Sequence, residues 1–476
     1  MAGRPRKTRT KAAIPASRRE RNPLITARGY DQLRWMLEHS DAPAWNYAVG
    51  DRVEKADLPA VETVRRETWE SRGGGTGAAP ARILEWVAAM RGRVPLFQEY
   101  LPDGMDLARD WGAVPTMCRE DIAVRPEDIV PVDESLDRLI VYDTSGTTGH
   151  AIRVPHHPRA MAQNHPMMEF VLEQFGIRPE FGPGKVACIN VGAQVGTVVF
   201  ANVFSVWKQA GFAKVNLHPH AWNPERAQRF FREMGPLFVT GDPLGFMEMK
   251  KWEIDIRPAA LLSTAVALGP ALKEELEAAY GCPVIDTYAT TETGPIAYAN
   301  PEGEGLSVLP VDIYVEIVDE DGCPVAEGEP GEICVTGGRN PYMPLLRYRT
   351  GDFARMTWSK QFGSDPMPRL LDLQAREPVA FEAADGSVVS PVDIGRVIRA
   401  WVFVQHQFVQ HEDRSCDMVI RPAPGCPIGV DRMKEQLEAL FGKGIKVGIT
   451  LDDTLGDDSP GGKVVPFIRE GLTPSC

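Results

Sequence analysis

The chain has 476 residues, too many for one compact core, so two or three domains are expected. Hydrophobic residues make up 43% and charged residues 25%, which excludes a disordered or fibrous chain, and the net charge of -13 argues against broad binding to nucleic acid or anionic membrane, which needs a basic face. Eight cysteines, no two of them two to four residues apart, offer neither a zinc knuckle nor a disulfide framework, so small-molecule chemistry in a reducing cytoplasm is the default expectation.

In chain order, residues 1–24 read as a basic tail without the apolar stretch of a signal peptide, and are expected to be disordered. The G-R-P-R-K within it is similar to a minor-groove hook, but five residues fit a solvated arm better. S-R-G-G-G-T-G-A-A-P at 71–80 is a turn-rich break, and no internal repeat is visible. From about residue 137, β-rich runs (L-I-V-Y-D, K-V-A-C-I-N-V, A-K-V-N-L, P-L-F-V-T-G, A-A-L-L-S-T, P-V-I-D-T-Y) alternate with helical patterns such as R-A-Q-R-F-F-R-E-M and G-P-A-L-K-E-E-L-E-A-A-Y. The uncharged segment 186–207 is long enough to span a bilayer, but Asn190, Gln194 and Asn202 dilute it and Lys185 and Lys208 close it. A buried strand leading into a buried helix is expected there. After residue 370 short strands surround the amphipathic V-D-R-M-K-E-Q-L-E-A-L-F. The predicted fold is α/β: a large domain over 25–373 with mostly parallel sheets, then a small, mobile α+β domain over 374–476.

The stretch Y-D-T-S-G-T-T-G-H at 142–150 follows a strand, so backbone N–H groups and the hydroxyls of Thr144, Ser145, Thr147 and Thr148 can converge on one anion. Gly146 and Gly149 supply the backbone freedom such a nest needs. It is a candidate phosphate cradle, though a plain turn has the same composition, and no Walker-type G-x-x-x-x-G-K-[ST] occurs in the chain.

T-S-G-T-T-G resembles the phosphate loop of the adenylate-forming superfamily, whose members join a carboxylic acid to AMP from ATP and pass the acyl group on. Further motifs follow in that family's order: D-T-Y-A-T-T-E-T-G at 286–294, Y-R-T-G-D at 348–352, L-Q-A-R-E-P at 373–378 followed by D-G-S-V-V-S-P-V-D-I, and P-G-G-K-V-V around Lys463. Upstream, R-G-R-V-P-L-F-Q-E-Y and W-G-A-V-P-T-M-C-R-E-D-I are similar to the start of the phenylacetate-CoA ligase family, the nearest resemblance, which holds from about residue 80 onward.

The resemblance implies roles for single residues. Thr144–Gly149 would bind phosphate, Asp286 and Thr287 would flank the nucleotide, and Tyr288 would stack on adenine. Thr291 and Glu292 would stand at the reacting phosphate, with Glu292 on Mg²⁺, a hard ion that prefers oxygen. Asp352 would hold the ribose hydroxyls, Arg376 ribose or phosphate, and Lys463 would bridge the carboxylate and the α-phosphate as charge builds. Asn190, Gln194, Thr240 and Ile296 are candidates for the acyl pocket, and the two amides there suit a hydroxy- or amino-substituted aromatic acid unless they are satisfied core groups.

Two positions depart from the family pattern. His150 stands where lysine is usual and, neutral near pH 7, would weaken phosphate contact, with Arg153 or His156 as compensators; Pro378 stiffens the hinge. The serine in L-G-D-D-S at 455–459 is similar to a carrier-protein site, but no four-helix pattern surrounds it. Three functions stay open: an acid:CoA ligase using ATP, Mg²⁺ and CoA; a biosynthetic enzyme handing its adenylate to an amine or a separate carrier protein; and a nucleotide-binding protein without turnover. Retention of Glu292 and Lys463 argues against the last, and a homodimer fits the resemblance.

Overall fold

The computed structural model describes residues 14–70, 79–143, 152–194, 196–266, 268–301, 303–310, 312–359, 366–375, 379–459 and 462–471. The expected phosphate loop Thr144–Gly149 with His150, and Arg376 with Pro378, lie outside the described residues.

An antiparallel hairpin, β1 (Ile140–Asp143) and β2 (Arg153–His156), brackets the phosphate-loop segment. Twelve strands then form the main sheet: β3 (Val186–Gly192), β4 (Phe200–Phe204), β5 (Ala210–Asn216), β6 (Phe238–Gly241), β7 (Leu261–Ser263), β8 (Val284–Thr290), β9 (Gly294–Ala299), β10 (Leu306–Val308), β11 (Ile313–Val318), β12 (Pro330–Gly337), β13 (Leu345–Ser359) and β14 (Met367–Ala375). Their spatial order is β11-β12-β13-β14-β10-β9-β8-β7-β6-β3-β5-β4.

The fold is α/β, as expected, and the sheet is mixed. Parallel pairing holds across β5, β3, β6, β7 and β8, where the sequence alternates strands with helices; from β8 onward the strands are joined by short turns and pair antiparallel. The change of sense falls inside β8: Val284–Asp286 pair with β7 in parallel, and Thr287–Thr290 with β9 antiparallel.

Helices cover both faces of the parallel half. On one side Pro224–Met234 starts where the Asn223 side chain accepts from Arg226 N–H and Pro224 fixes φ, and it stops at Gly235 in the left-handed region. It buries Ala227, Phe230, Phe231 and Met234, a stripe at helical spacing, against Ile189, Val191 and Val215. Each phenylalanine contributes about 1.5–3 kcal/mol. Helix Pro158–Gln174 packs Met167, Phe170 and Val171 on the opposite face, with Cys188, Phe238 and Leu262.

Two expectations change. The helix predicted to end the segment 186–207 is instead the edge strand β4, antiparallel to β5. F-A-N-V-F is rich in β-formers and pairs along β5, so one apolar run divides into two strands rather than a strand and a helix. Residues 14–24, assigned to the tail, contain the helix Ala16–Arg21, and buried Asn22 donates to the Asn202 side chain at 3.0 Å. Residues 1–13 lie outside the described residues. No helix among the described residues is long and apolar enough to cross a membrane.

Beyond β14 a hairpin, β15 (Phe381–Glu382) with β16 (Val388–Val389), precedes a four-stranded sheet of β17 (Phe403–Gln410), β18 (Cys416–Pro422), β19 (Val447–Leu451) and β20 (Phe467–Arg469), ordered β19-β18-β17-β20. With helices Pro391–Ile398 and Val430–Phe441 it encloses its own apolar core, including Phe381, Phe408, Met418 and Leu437. Val404 and Ala423 instead join the main core beside Leu244, Phe246 and Leu276.

Candidate functional site

The site gathers at the C-terminal end of β8. In the turn after it, the Thr290 hydroxyl accepts from Thr293 N–H at 3.1 Å and pairs with the Thr293 hydroxyl at 2.9 Å. Gly294 follows at φ +72°, and a Cβ there would stand 3.2 Å from Asn164 Oδ1 and 3.3 Å from an Arg339 guanidinium nitrogen. This turn buries Glu292 to 7% exposure, where its Oε1 accepts from the Tyr348 hydroxyl at 3.2 Å and lies 3.6 Å from the Arg119 guanidinium. Thr291 is exposed, and its backbone is hydrogen-bonded by the His156 ring of β2. Burial holds that imidazole down at about 4, so it is neutral at pH 7. The hairpin that carries the phosphate-loop segment is thereby tied to the turn that carries Glu292. A second tie runs from Asn340, whose amide donates to the Pro155 carbonyl at 2.6 Å.

Tyr288, 8% exposed, donates its hydroxyl to Asp352 Oδ2 at 2.8 Å and approaches the Thr350 hydroxyl at 3.4 Å. The Asp352 loop is braced by Glu332, which accepts from Gly351 N–H at 2.8 Å and from Arg349 Nε at 2.5 Å. Burial pushes Asp352 up to about 6, against the Tyr288 hydrogen bond and the Lys463 ammonium, which hold it down. Ala375, the residue before Arg376, is opposite Asp352 across β13 and β14. Asp286, two residues before Tyr288 on β8, is pushed up by burial to about 7, while the Thr287 hydroxyl donates to the Ser263 carbonyl at 2.7 Å.

Lys463 reaches this place from the far end of the chain. Gln405 of β17 donates to the Gly462 carbonyl at 2.5 Å, and a Cβ on Gly462 would touch Leu244 at 3.7 Å. The Lys463 ammonium acts on two carboxylates at once, Asp352 and Asp242. Asp242 caps helix Pro243–Lys251 by accepting from Gly245 N–H at 2.6 Å, and burial raises its pKa.

Of the acyl-pocket candidates, the structure unites two. Asn190 of β3 donates to the Thr240 hydroxyl of β6 at 2.9 Å. Gln194 lies past the end of β3, its backbone clamped by Asn216 through bonds of 3.1 and 2.8 Å. Ile296 is not with them: at 0% exposure it belongs to the apolar cluster of Tyr288, Leu306 and Leu370, because β9 turns that side chain into the core of the antiparallel half.

Sequence reasoning missed Tyr348, Arg119 and Asp242. Tyr348 and Arg119 stand inside quoted motifs without having been singled out, and Asp242 directly follows one, where Asp-Pro at a helix start is a capping signal.

The model of the family described as "AMP-binding enzyme" matches residues 30–340. The chain belongs to the AMP-binding enzyme family. Curated proteins similar to this family member include the protein CapK of Staphylococcus aureus, 32% identical over 320 residues, which are 63% of this chain and 66% of CapK. Another is the phenylacetate-coenzyme A ligase of Escherichia coli K12, 36% identical over 90 residues, 18% of this chain and 21% of that one. The chain thus spans less than two thirds of the length of the curated relatives it matches. Among solved structures, a 2-hydroxyisobutyryl-CoA ligase in the postadenylation state superposes with a TM-score of 0.57 at 17% identity, covering 88% of this chain and 90% of that one. That likeness shows the fold.

Proposed function

We propose that the chain activates a carboxylic acid, an aromatic one in the manner of phenylacetate-CoA ligases, as an acyl-adenylate at the expense of ATP, and then transfers the acyl group to CoA. The observation that carries the reading is that Asp352, hydrogen-bonded to Tyr288 of β8, also feels the Lys463 ammonium through space, from motifs far apart in the chain. An acid oxygen attacks the α-phosphorus, the acyl–O–P bond forms, the bond to the β-phosphate breaks and pyrophosphate leaves. Negative charge crowds onto one phosphorus, and Lys463 is the fixed cation there. Tyr288 would present a ring to adenine while its hydroxyl aligns Asp352 to accept from the ribose hydroxyls. In the second step the CoA sulfur attacks the acyl carbon, AMP departs, and the thiol proton goes to solvent or a base.

The family also implies Mg²⁺. Glu292 fits it: among the described residues its Oε2 has no hydrogen bond, and one carboxylate plus substrate phosphates is a usual setting for this hard ion. Among the described residues no group of three or more His, Cys, Asp or Glu could hold a metal on protein ligands alone, which fits an ion arriving with the nucleotide. Bound there, the ion would neutralise phosphate charge.

Pyrophosphate release from ATP and Mg²⁺ across aryl and alkyl acids, with and without CoA, tests the proposal. Thioester formation that requires CoA is expected, and Lys463→Ala should slow adenylation by about 10²–10³-fold. Adenylate formed without CoA dependence would replace CoA by an amine or a carrier protein; no release with any acid would overturn the reading.

A further inference from the structure

β5 places a lysine where the adenylation chemistry does not use one. On the face of the parallel half that carries Cys188, Phe238 and Leu262, the next level toward the strand ends is a row set by register. Phe200 of β4 pairs with Lys214 of β5, Lys214 with Asn190 of β3, and Asn190 with Thr240 of β6. Residues paired directly across a sheet point to the same side. The Asn190–Thr240 hydrogen bond fixes which side, and all four members are only partly buried where their strand neighbours Ala201, Ala213, Ile189 and Val239 are wholly buried. The row is therefore partly open to solvent.

Among the described residues Lys214 makes no hydrogen bond or ion pair, and its nearest acid, Asp242, acts on it only through space. Asp242 feels Lys214 and Lys463 alike, while Lys463 also feels Asp352. Asp242 is thus the acid shared by Lys214 and by Lys463, the lysine that also acts on Asp352. Burial lowers the Lys214 pKa, and the pull of Asp242 through space offsets this only in part. A half-buried cation of this kind is costly alone and favourable once paired.

We infer that Lys214 is a specificity residue, and that the acid activated here carries a second anionic group on its tail, a carboxylate or its equivalent, which Lys214 binds. Asn190 and Thr240 flank that group as hydrogen-bonding partners, and Phe200 offers a ring edge to the tail between the two charges. The inference rests on the proposed adenylation for its substrate, but the binding event does not require turnover.

The probes are two matched pairs, hexanoate with adipate and phenylacetate with 4-carboxyphenylacetate. For each acid kcat/KM for pyrophosphate release and, without ATP, the Kd by calorimetry are measured on the full chain. The dianionic member of each pair should be preferred by about 10–100-fold, the range of one charge-assisted hydrogen bond. In Lys214→Met the preference should collapse to about one; in Lys214→Arg, which keeps the charge and guards against a merely misfolded methionine variant, it should persist. If wild type does not prefer the dianions, or Lys214→Met lowers both members of each pair equally, the inference falls. If no acid supports pyrophosphate release but the Kd values still discriminate through Lys214, the inference stands and the adenylation reading falls instead.

Discussion

Burial pushes Asp352 up to about 6 and Asp286 up to about 7, so both titrate where the protein can be assayed. Each binds its proton more tightly folded than unfolded, so between about pH 4 and pH 7 the folded state holds more protons and stability falls as pH rises. Asp286→Asn should therefore change melting little at pH 4 and raise stability at pH 8 by up to about 4 kcal/mol, measured by denaturant titration at both values. For Asp352 the consequence is functional. The KM for ATP should rise as pH drops through about 6, when the carboxyl that would accept the ribose hydroxyls is protonated. In Asp352→Asn that dependence should vanish and KM be high throughout, about 10-fold or more. At this scale contiguous motifs pointed to Tyr288, Glu292, Asp352 and Lys463; Tyr288 is hydrogen-bonded to Asp352, and Glu292 and Lys463 act on that carboxylate through space. The sequence was illegible for Lys214 and Arg119, whose significance lies in what is opposite them across the fold, and for Ile296, where being near Glu292 in sequence did not mean facing the same space.

Among elements, β13 is held by one side chain. Arg347, 0% exposed and at φ +46°, pairs with Glu316 at 2.9 Å, donates to the carbonyls of Val114 and Gly322 at 2.6 and 2.7 Å, and lies over the Trp111 ring. It fastens the segment around Trp111 and the turn at Gly322 to the strand that carries Tyr348 and Asp352. Arg347→Met would strand the Glu316 carboxylate in the core at a cost of about 3–5 kcal/mol, and Arg347→Met with Glu316→Gln should recover part of that in thermal unfolding. Periodicity revealed the helices Pro224–Met234, Pro270–Tyr280 and Val430–Phe441 because each has one apolar stripe. It could not divide the run 186–207, since a continuously apolar segment carries no period to separate strand from helix, nor foresee that pairing reverses within β8.

For the whole molecule, the placing of Lys463 depends on how the strands beyond β14 rest on the main body. Val404 and Ala423 carry that contact into the main core, against helices Pro243–Lys251 and Pro270–Tyr280, and Gln405 holds the loop. The second core, built on Phe381, Phe408 and Leu437, is independent of it. Val404→Asp should therefore cut pyrophosphate release by about 10-fold or more, by withdrawing Lys463, while circular dichroism stays that of a folded protein. The sequence offers a change of rhythm near residue 370, but it does not mark which residues beyond it bear on the main core, because both cores use the same aliphatic side chains.

The reversal inside β8 also bears on how the chain is made. The parallel strands of that sheet and the antiparallel edge strand β4 all precede residue 291, and the antiparallel strands β9 to β14 follow it. A ribosome that has released the first half leaves one flank of β8 with its N–H and C=O groups unmatched, a template on which a neighbouring nascent chain could add. β9 returns at once through the Thr290–Gly294 turn, so at 5–20 residues per second that flank is open for roughly a second. The turn that buries Glu292 thereby also shields a half-made protein from its neighbours on the same messenger.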